Sequence, residues 1–225
     1  MVWFDRARVQ HIEWYGVHYL RTDRPTRRIT EWVRDQRLYA VQLDPIVAYI
    51  RRMPVVEHVI VRKVWPDRLQ IHVVERQPFA LMEDDEGLKV VDRQGVPFML
   101  FQGDPGGLQW QPILVRHAST DVSFALIRAL ITVLRERHTW LLTEGAWLHM
   151  QRPLILEIPK MHVHILFPAE LDRDESGSVE WFHRRLNELR EKWTWIRERL
   201  MPQRIHEIDL RYEGRIYLRE QRKSP

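Results

Sequence analysis

The chain has 225 residues, 44% of them hydrophobic, a formal net charge of +4 and no cysteine. That length and apolar content suit one large globular domain or two small ones and exclude wholesale disorder. The missing cysteines exclude a disulfide, a thiolate zinc site and a thiol nucleophile, but they do not fix the compartment.

The basic residues are skewed towards arginine, which forks to carboxylates and phosphates and stacks on aromatics. Nucleic acid, an anionic membrane surface, or simply an Arg-rich genome or hot habitat all fit that bias. The longest apolar stretch, Val122 to Leu134, is interrupted by Arg128 and is too short to span a bilayer. The N-terminus has no apolar core of a signal peptide. The chain is expected to be soluble as given, and could be the soluble part of a longer anchored protein.

In chain order, a strand is expected over about Val9 to Tyr19, with Ile12, Trp14 and Gly16 on one parity. A helix follows from about Thr26, with Ile29, Trp32 and Val33 at helical spacing. A second helix has Asp44 as its expected cap, Pro45 in its first turn and Ile46, Val47, Ile50 and Met53 as its apolar face. Pro54 ends it. A hairpin then runs from Val55 to Val64, turns at Trp65-Pro66-Asp67-Arg68 and returns through Leu69, Ile71 and Val73. The alternation predicts one face packed on the helices and the other mostly wet.

Pro78 marks a plausible boundary. Beyond it, Leu88 to Val91 and Val96 to Phe101 flank a turn at Asp92 to Gly95, and Gly103 to Gly107 reads as a loop. A helix is expected from about Ser119 to His138, then strands around Trp147, Ile155 and Val163, the last two turned by Pro159-Lys160. Phe182, Leu186, Leu189, Trp193, Ile196 and Leu200 form the seam of a long helix over about Val179 to Leu200. That seam is too short for a coiled coil and predicts a helix packed on its own sheet. A final hairpin is expected from Arg204 to Tyr212 and Arg215 to Leu218, turning at Glu213-Gly214, before a charged frayed tail.

Catalytic patterns are weak. His162-Val163-His164 puts two imidazoles on one face of an expected strand, as a metal site needs, but no third ligand is identifiable. Solvated strand histidines are the plainer reading. Asp84, Asp85 and Glu86 suggest acid/base carboxylates, yet a short acidic turn before Gly87 explains them. The Gly103-Asp104-Pro105-Gly106-Gly107 loop lacks the Lys-Ser/Thr of a phosphate cradle, and Pro105 removes a donor. Arg184 and Arg185 beside Trp181, Trp193 and Trp195 would suit nucleic acid, but Glu180, Glu188, Glu191 and Glu198 share that helix. Nothing assembles a nucleophile, a base and an orienting group.

Two stretches carry a family signature. The first is Met53-Pro54-Val55-Val56, Val59, Val61-Arg62-Lys63, Trp65-Pro66-Asp67-Arg68-Leu69, Ile71, Val73, Glu75-Arg76, Pro78 and Ala80, with Asp44 before it and Val91-Asp92-x-x-Gly95 after it. The second is Ile208-Asp209-Leu210-Arg211-Tyr212, then Gly214 and the strand to Leu218. Together they resemble FtsQ/DivIB cell-division proteins over about Val9 to Leu218. Arg116, where a glycine is expected, and Pro159-Lys160, in place of a Gly-containing turn, depart from the pattern.

The resemblance implies an α+β fold: an N-terminal POTRA module (β-α-α-β-β) at 8–77, a mixed, β-rich domain with two helices at 78–219, and a tail at 220–225. It implies a non-catalytic scaffold without cofactor or metal, following a single transmembrane helix and standing outside the cytoplasm at the division septum. Its expected partners are FtsB/DivIC-like and FtsL-like division proteins, and its role is to help control septal peptidoglycan synthesis. The expected docking edge is Asp209, Leu210, Arg211, Tyr212, Ile216, Tyr217 and Leu218, where a partner strand adds to the sheet. Arg211 would pair with an acidic partner residue, and Tyr212 or Tyr217 would anchor it. Arg51, Arg52, Arg62 and Lys63 form a second expected surface on the POTRA module. A POTRA-bearing component of outer-membrane transport, a nucleic-acid-binding module and a metal hydrolase remain as alternatives.

Overall fold

The computed structural model describes residues 8–102, 113–117, 122–142, 146–200 and 205–220. The Gly103 to Gly107 loop, Ser119, Arg204 and the tail from residue 221 lie outside the described residues. The chain divides into two compact units, residues 1–77 and 78–225.

The first unit has the order β1 (His11–Tyr15), α1 (Asp23–Val33), a 3-10 turn at Leu38–Ala40, α2 (Asp44–Arg51), β2 (Val56–Val64) and β3 (Arg68–Glu75). Among the described residues its sheet has the order β1-β3-β2, with β1 parallel and β2 antiparallel to β3. Leu69, Ile71 and Val73 alternate inward and join Ile29, Ile46 and Ile50 from the helices in one core. Opposite them, Ile60 and Val74 are exposed on the outer face. The opening strand is shorter than its apolar pattern suggests, because Gly16 turns the chain at φ 75°. A Cβ at Gly16 would lie 2.2 Å from the Val73 carbonyl oxygen, so only glycine fits.

Asp44 corrects the expected cap. It lies inside α2, whose N-cap is Leu43, and makes no capping hydrogen bond. Its charge in the first turn still favours the positive end of the helix. The Trp65-Pro66 bond in the β2–β3 turn is cis.

The second unit begins with β4 (Ala80–Asp84), β5 (Gly87–Val91), β6 (Pro97–Leu100) and β7 (Leu114–His117). It continues with α3 (Phe124–Arg137), β8 (Trp147–Met150), β9 (Leu154–Ile158), β10 (Val163–Phe167), α4 (Glu175–Trp195) with a π-helical turn at Ile196–Leu200, β11 (Ile205–Asp209) and β12 (Tyr217–Glu220). Nine described strands form one sheet in the order β12-β11-β10-β9-β8-β7-β4-β5-β6. The parallel pairs β7–β8 and β10–β11 each need a crossover, and α3 and α4 supply them. Ser123 caps α3 through the Ala125 N–H, and Asp174 caps α4 through the Gly177 N–H.

One register row explains the core. Met82, Val115, Leu148, Leu156, Ile165, Ile208 and Leu218 face one another across seven strands. All belong to, or pack against, the cluster holding Leu130, Leu134, Phe182, Leu186 and Leu189 of the two helices. The neighbouring row, Glu83, Arg116, His149, Ile155, Leu166, Asp209 and Tyr217, therefore lies on the other face. There Arg116, out of place as a missing glycine, pairs with Glu83 at 2.8 Å and stacks 3.6 Å from the Trp147 ring centroid.

Four expectations change here. β4 and β7 are strands that the pattern does not announce. His162 is not on a strand: it closes a 3-10 turn at φ 53°, so strand alternation does not pair it with His164. Trp181, Trp193 and Arg185 are buried, which removes them from any nucleic-acid surface. The final hairpin has shorter strands, since residues 210–216 connect β11 to β12, with the expected turn kept at Glu213-Gly214, where the Arg215 N–H donates to the Tyr212 carbonyl at 3.3 Å.

Candidate partner-binding edge

Among the described residues, β12 pairs only with β11 in the nine-stranded sheet, through Tyr217↔Asp209, Leu218↔Ile208, Arg219↔Glu207 and Glu220↔Ile205. Its other side is a sheet edge, where backbone N–H and C=O groups point away from the fold. The register shift falls on β11 between Ile205 and Glu207, so β12 itself stays regular. Tyr217, Arg219 and Glu220 are exposed, and Leu218 is half-buried against the core.

The expected edge residues separate by role. Asp209 and Leu210 are buried at 3% and 0% exposure, so neither is available at a surface. Ile216 packs on the core just before β12. Asp209 ends β11. Its Oδ1 accepts from the Arg211 backbone N–H at 3.0 Å and from Arg211 Nε at 2.9 Å, and its Oδ2 accepts from the second guanidinium nitrogen at 2.7 Å. Burial alone would raise the Asp209 carboxyl. The hydrogen bonds and charge of Arg211 outweigh that and hold it below its ordinary range. Arg211 thus already has an internal carboxylate partner.

Two tyrosines are displayed beside it. Tyr212 and Tyr217 are 53% and 44% exposed and meet edge to face at 5.4 Å. Arg211 lies 5.7 Å from the Tyr212 ring centroid, and Arg215 reaches the Tyr217 hydroxyl at 3.3 Å. Paired aromatics flanked by guanidinium groups at the start of an open strand offer an apolar anchor with positive charge around it.

Sequence reasoning missed Arg185, which is 0% exposed in the middle of α4. Its Nε donates to the Leu210 carbonyl at 3.0 Å, and a terminal nitrogen donates to the Arg215 carbonyl at 2.6 Å. Glu188 takes another of its donors. Read as part of an Arg-Arg pair, it suggested a surface. The signal for burial was its place one turn from Phe182 and from Leu189 on the apolar seam.

In the first unit, Arg51, Arg52 and Arg62 are exposed, while Lys63 donates to the Tyr39 carbonyl at 2.7 Å. The Glu75-Arg76 motif has a clear task. Buried Glu75 accepts the backbone N–H groups of His18, Tyr19 and Leu20 at 2.8–2.9 Å, pinning the segment after β1. Likewise Asp92 accepts the N–H groups of Gln94 and Val96 inside the β5–β6 turn, and Gly95 packs where a Cβ would meet the Phe124 ring at 2.7 Å.

Elsewhere the metal reading gains nothing: among the described residues no three His, Asp or Glu side chains gather. Asp84 and Glu86 both hold Lys89 at the tip of the β4–β5 hairpin.

A β-α-α-β-β unit followed by a helix-backed sheet with an open final strand defines a POTRA-bearing α+β protein. Residues 28–76 match the model of the POTRA domain, FtsQ-type. A cell division protein FtsQ of Chloroflexus aggregans is 34% identical over 91 residues, covering 40% of this chain and 33% of that protein. Its counterpart from Xanthomonas campestris is 48% identical over 50 residues, 22% of this chain and 18% of that one. The Bordetella pertussis FtsQ is 25% identical over 190 residues, 77% of this chain and 64% of its own. Residues 28–76 thus carry a POTRA domain of FtsQ type, and the chain is similar to FtsQ cell-division proteins, spanning less than two thirds of the length of the relatives it matches.

Proposed function

We propose that this chain is a non-catalytic scaffold of the bacterial division machinery. It binds FtsB/DivIC-like and FtsL-like partners outside the cytoplasm and helps control septal peptidoglycan synthesis. In the whole protein a single transmembrane helix anchors it at the division septum. Among the described residues no helix is long and apolar enough to cross a membrane.

The observation that carries this reading is the open side of β12. A partner strand pairs there by backbone hydrogen bonds, with Tyr212 and Tyr217 as anchors and Arg211, Arg215 and Arg219 favouring an acidic partner segment. Asp209, Leu210, Ile216 and Leu218 hold this edge from within. Arg51, Arg52, Arg62 and Lys63 form a second surface for other division partners.

The test is calorimetric titration with the soluble domain of the FtsB/DivIC-like protein of the same organism. Proline is placed singly at 217, 218, 219 and 220. Successive N–H groups of a strand point to opposite edges, so alternate prolines should abolish binding while the others disturb the β11 ladder. Binding that ignores all four prolines in folded variants moves the site elsewhere.

A further inference from the structure

An arginine in an apolar helix seam is costly, because its charge loses water. Phe182, Leu186 and Leu189, on the same helix, are buried in the apolar cluster. Packing alone would be served as well by methionine or leucine, since replacing buried ionic groups with apolar ones of similar volume is often neutral or stabilising. What the guanidinium adds is direction. Its planar fork reaches the Leu210 carbonyl on one side and the Arg215 carbonyl on the other. Those two carbonyls bracket the 210–216 connection, one residue past β11 and two before β12.

A second tether grips the middle of the same connection. The Glu213 carboxylate accepts from Trp181 Nε1 at 3.2 Å, Arg184 at 3.1 Å and Arg173 at 3.2 Å. Trp181, Arg184 and Arg185 lie within little more than one turn of α4, and Arg173 directly precedes the N-cap of that helix. A four-residue edge strand with one neighbour has few ladder bonds of its own. Its attitude depends on how the chain is delivered to it.

We propose that Arg185 is a positioning residue for the docking edge: it ties both ends of the Leu210–Arg215 connection to α4 and so sets where β12 and the Tyr212–Tyr217 pair stand. The inference rests on the reading that a partner pairs with β12.

Amide hydrogen exchange and partner titration on the full chain test it, using R185M, R185K and E213A. Exchange at Tyr217–Glu220 is compared with that in β9 of the same variant, so that general loss of stability cancels. R185M should speed exchange at 217–220 relative to β9, and weaken binding of the FtsB/DivIC-like soluble domain, by roughly tenfold or more, the factor one charge-assisted hydrogen bond is worth. R185K should recover part of both, since an ammonium reaches one carbonyl but cannot fork to two. Unchanged relative exchange at 217–220 overturns the inference, as does a loosened edge that binds as tightly as the parent.

If R185M does not fold, E213A decides the matter. Its side chain is 60% exposed, and its loss should loosen the same four amides. Protection that stays unchanged there overturns the inference. Failure of the docking reading is separate: binding would then ignore prolines at 217–220 while exchange still responded to Arg185. Binding lost to the prolines but indifferent to R185M sinks the positioning role alone.

Discussion

His138 is the most unusual titratable group of the second unit. It is fully buried at the end of α3, 3.1 Å from His183 on α4 through Nε2 and Nδ1. Trp140 Nε1 donates to His138 Nδ1 at 3.3 Å, so the His138 proton sits on Nε2 and is given to His183. His183 in turn carries its proton on Nε2, which requires the nearby Asn187 amide to present its oxygen. Burial, then the charges of His183, Arg190 and Arg137, depress His138 to about 4 from 6.5. A lowered histidine contributes stability that is complete above the unfolded value and is lost as pH falls from about 6.5 towards 4. We expect the second unit to lose about 2 kcal/mol between pH 7 and pH 5. Urea unfolding across that range checks this, and H138Q should flatten the slope. Asp209 has the same sign in a lower window: its carboxyl is also held below its ordinary range, so its stabilisation is present above the unfolded carboxylate value and is lost only in stronger acid. D209A at pH 7 should cost about 2 kcal/mol by leaving the Arg211 amide and guanidinium without their acceptor. A change within a few tenths would argue against that role.

Among elements, the segment following β1 shows how one side chain can organise a stretch without secondary structure. Three consecutive N–H groups converge on Glu75 at the end of β3. Removing the carboxylate leaves donors without partners in a half-buried place. E75A is expected to lower the stability of the first unit by about 3 kcal/mol, with E75Q in between, as read by urea unfolding. Gly16 should tolerate substitution as poorly: in G16A the new methyl meets the Val73 carbonyl while φ stays positive, a loss of about 2 kcal/mol or more. Strands β2 and β3 and helix α2 were legible because their apolar residues alternate or recur at helical spacing between clear turn signals. β4 and β7 were not. β4 ends within a run of four acidic residues, Glu83 to Glu86, that resembles a loop, and β7 is a four-residue parallel strand whose partners lie far away in sequence. Such strands are set by neighbours, not by local pattern.

For the molecule as a whole, each unit has its own apolar cluster. Substitutions in one should therefore leave the other's unfolding untouched. E75A should bring forward loss of amide protection in Ile71 and Val73 without moving that of Leu156 and Ile165. A joint shift of both would show that the units unfold together. Sequence alone determined the element pattern, because turn chemistry and apolar periodicity are local properties, and the resemblance carried by the Trp-Pro-Asp hairpin and the closing Asp-Leu-Arg-Tyr implied a POTRA module before a β-rich domain. It also brought Arg211, Tyr212 and Tyr217 into one short stretch. Only the tertiary structure decided which of those residues face outward. Asp209 and Leu210 are both covered, Leu210 in the helix-backed core and Asp209 on the opposite sheet face, because β11 is inserted between β10 and β12, which no residue of that motif announces. Arg185 shares its explanation with two carbonyls 25 and 30 residues away, a relation that arises only when α4 folds back over the β11–β12 connection.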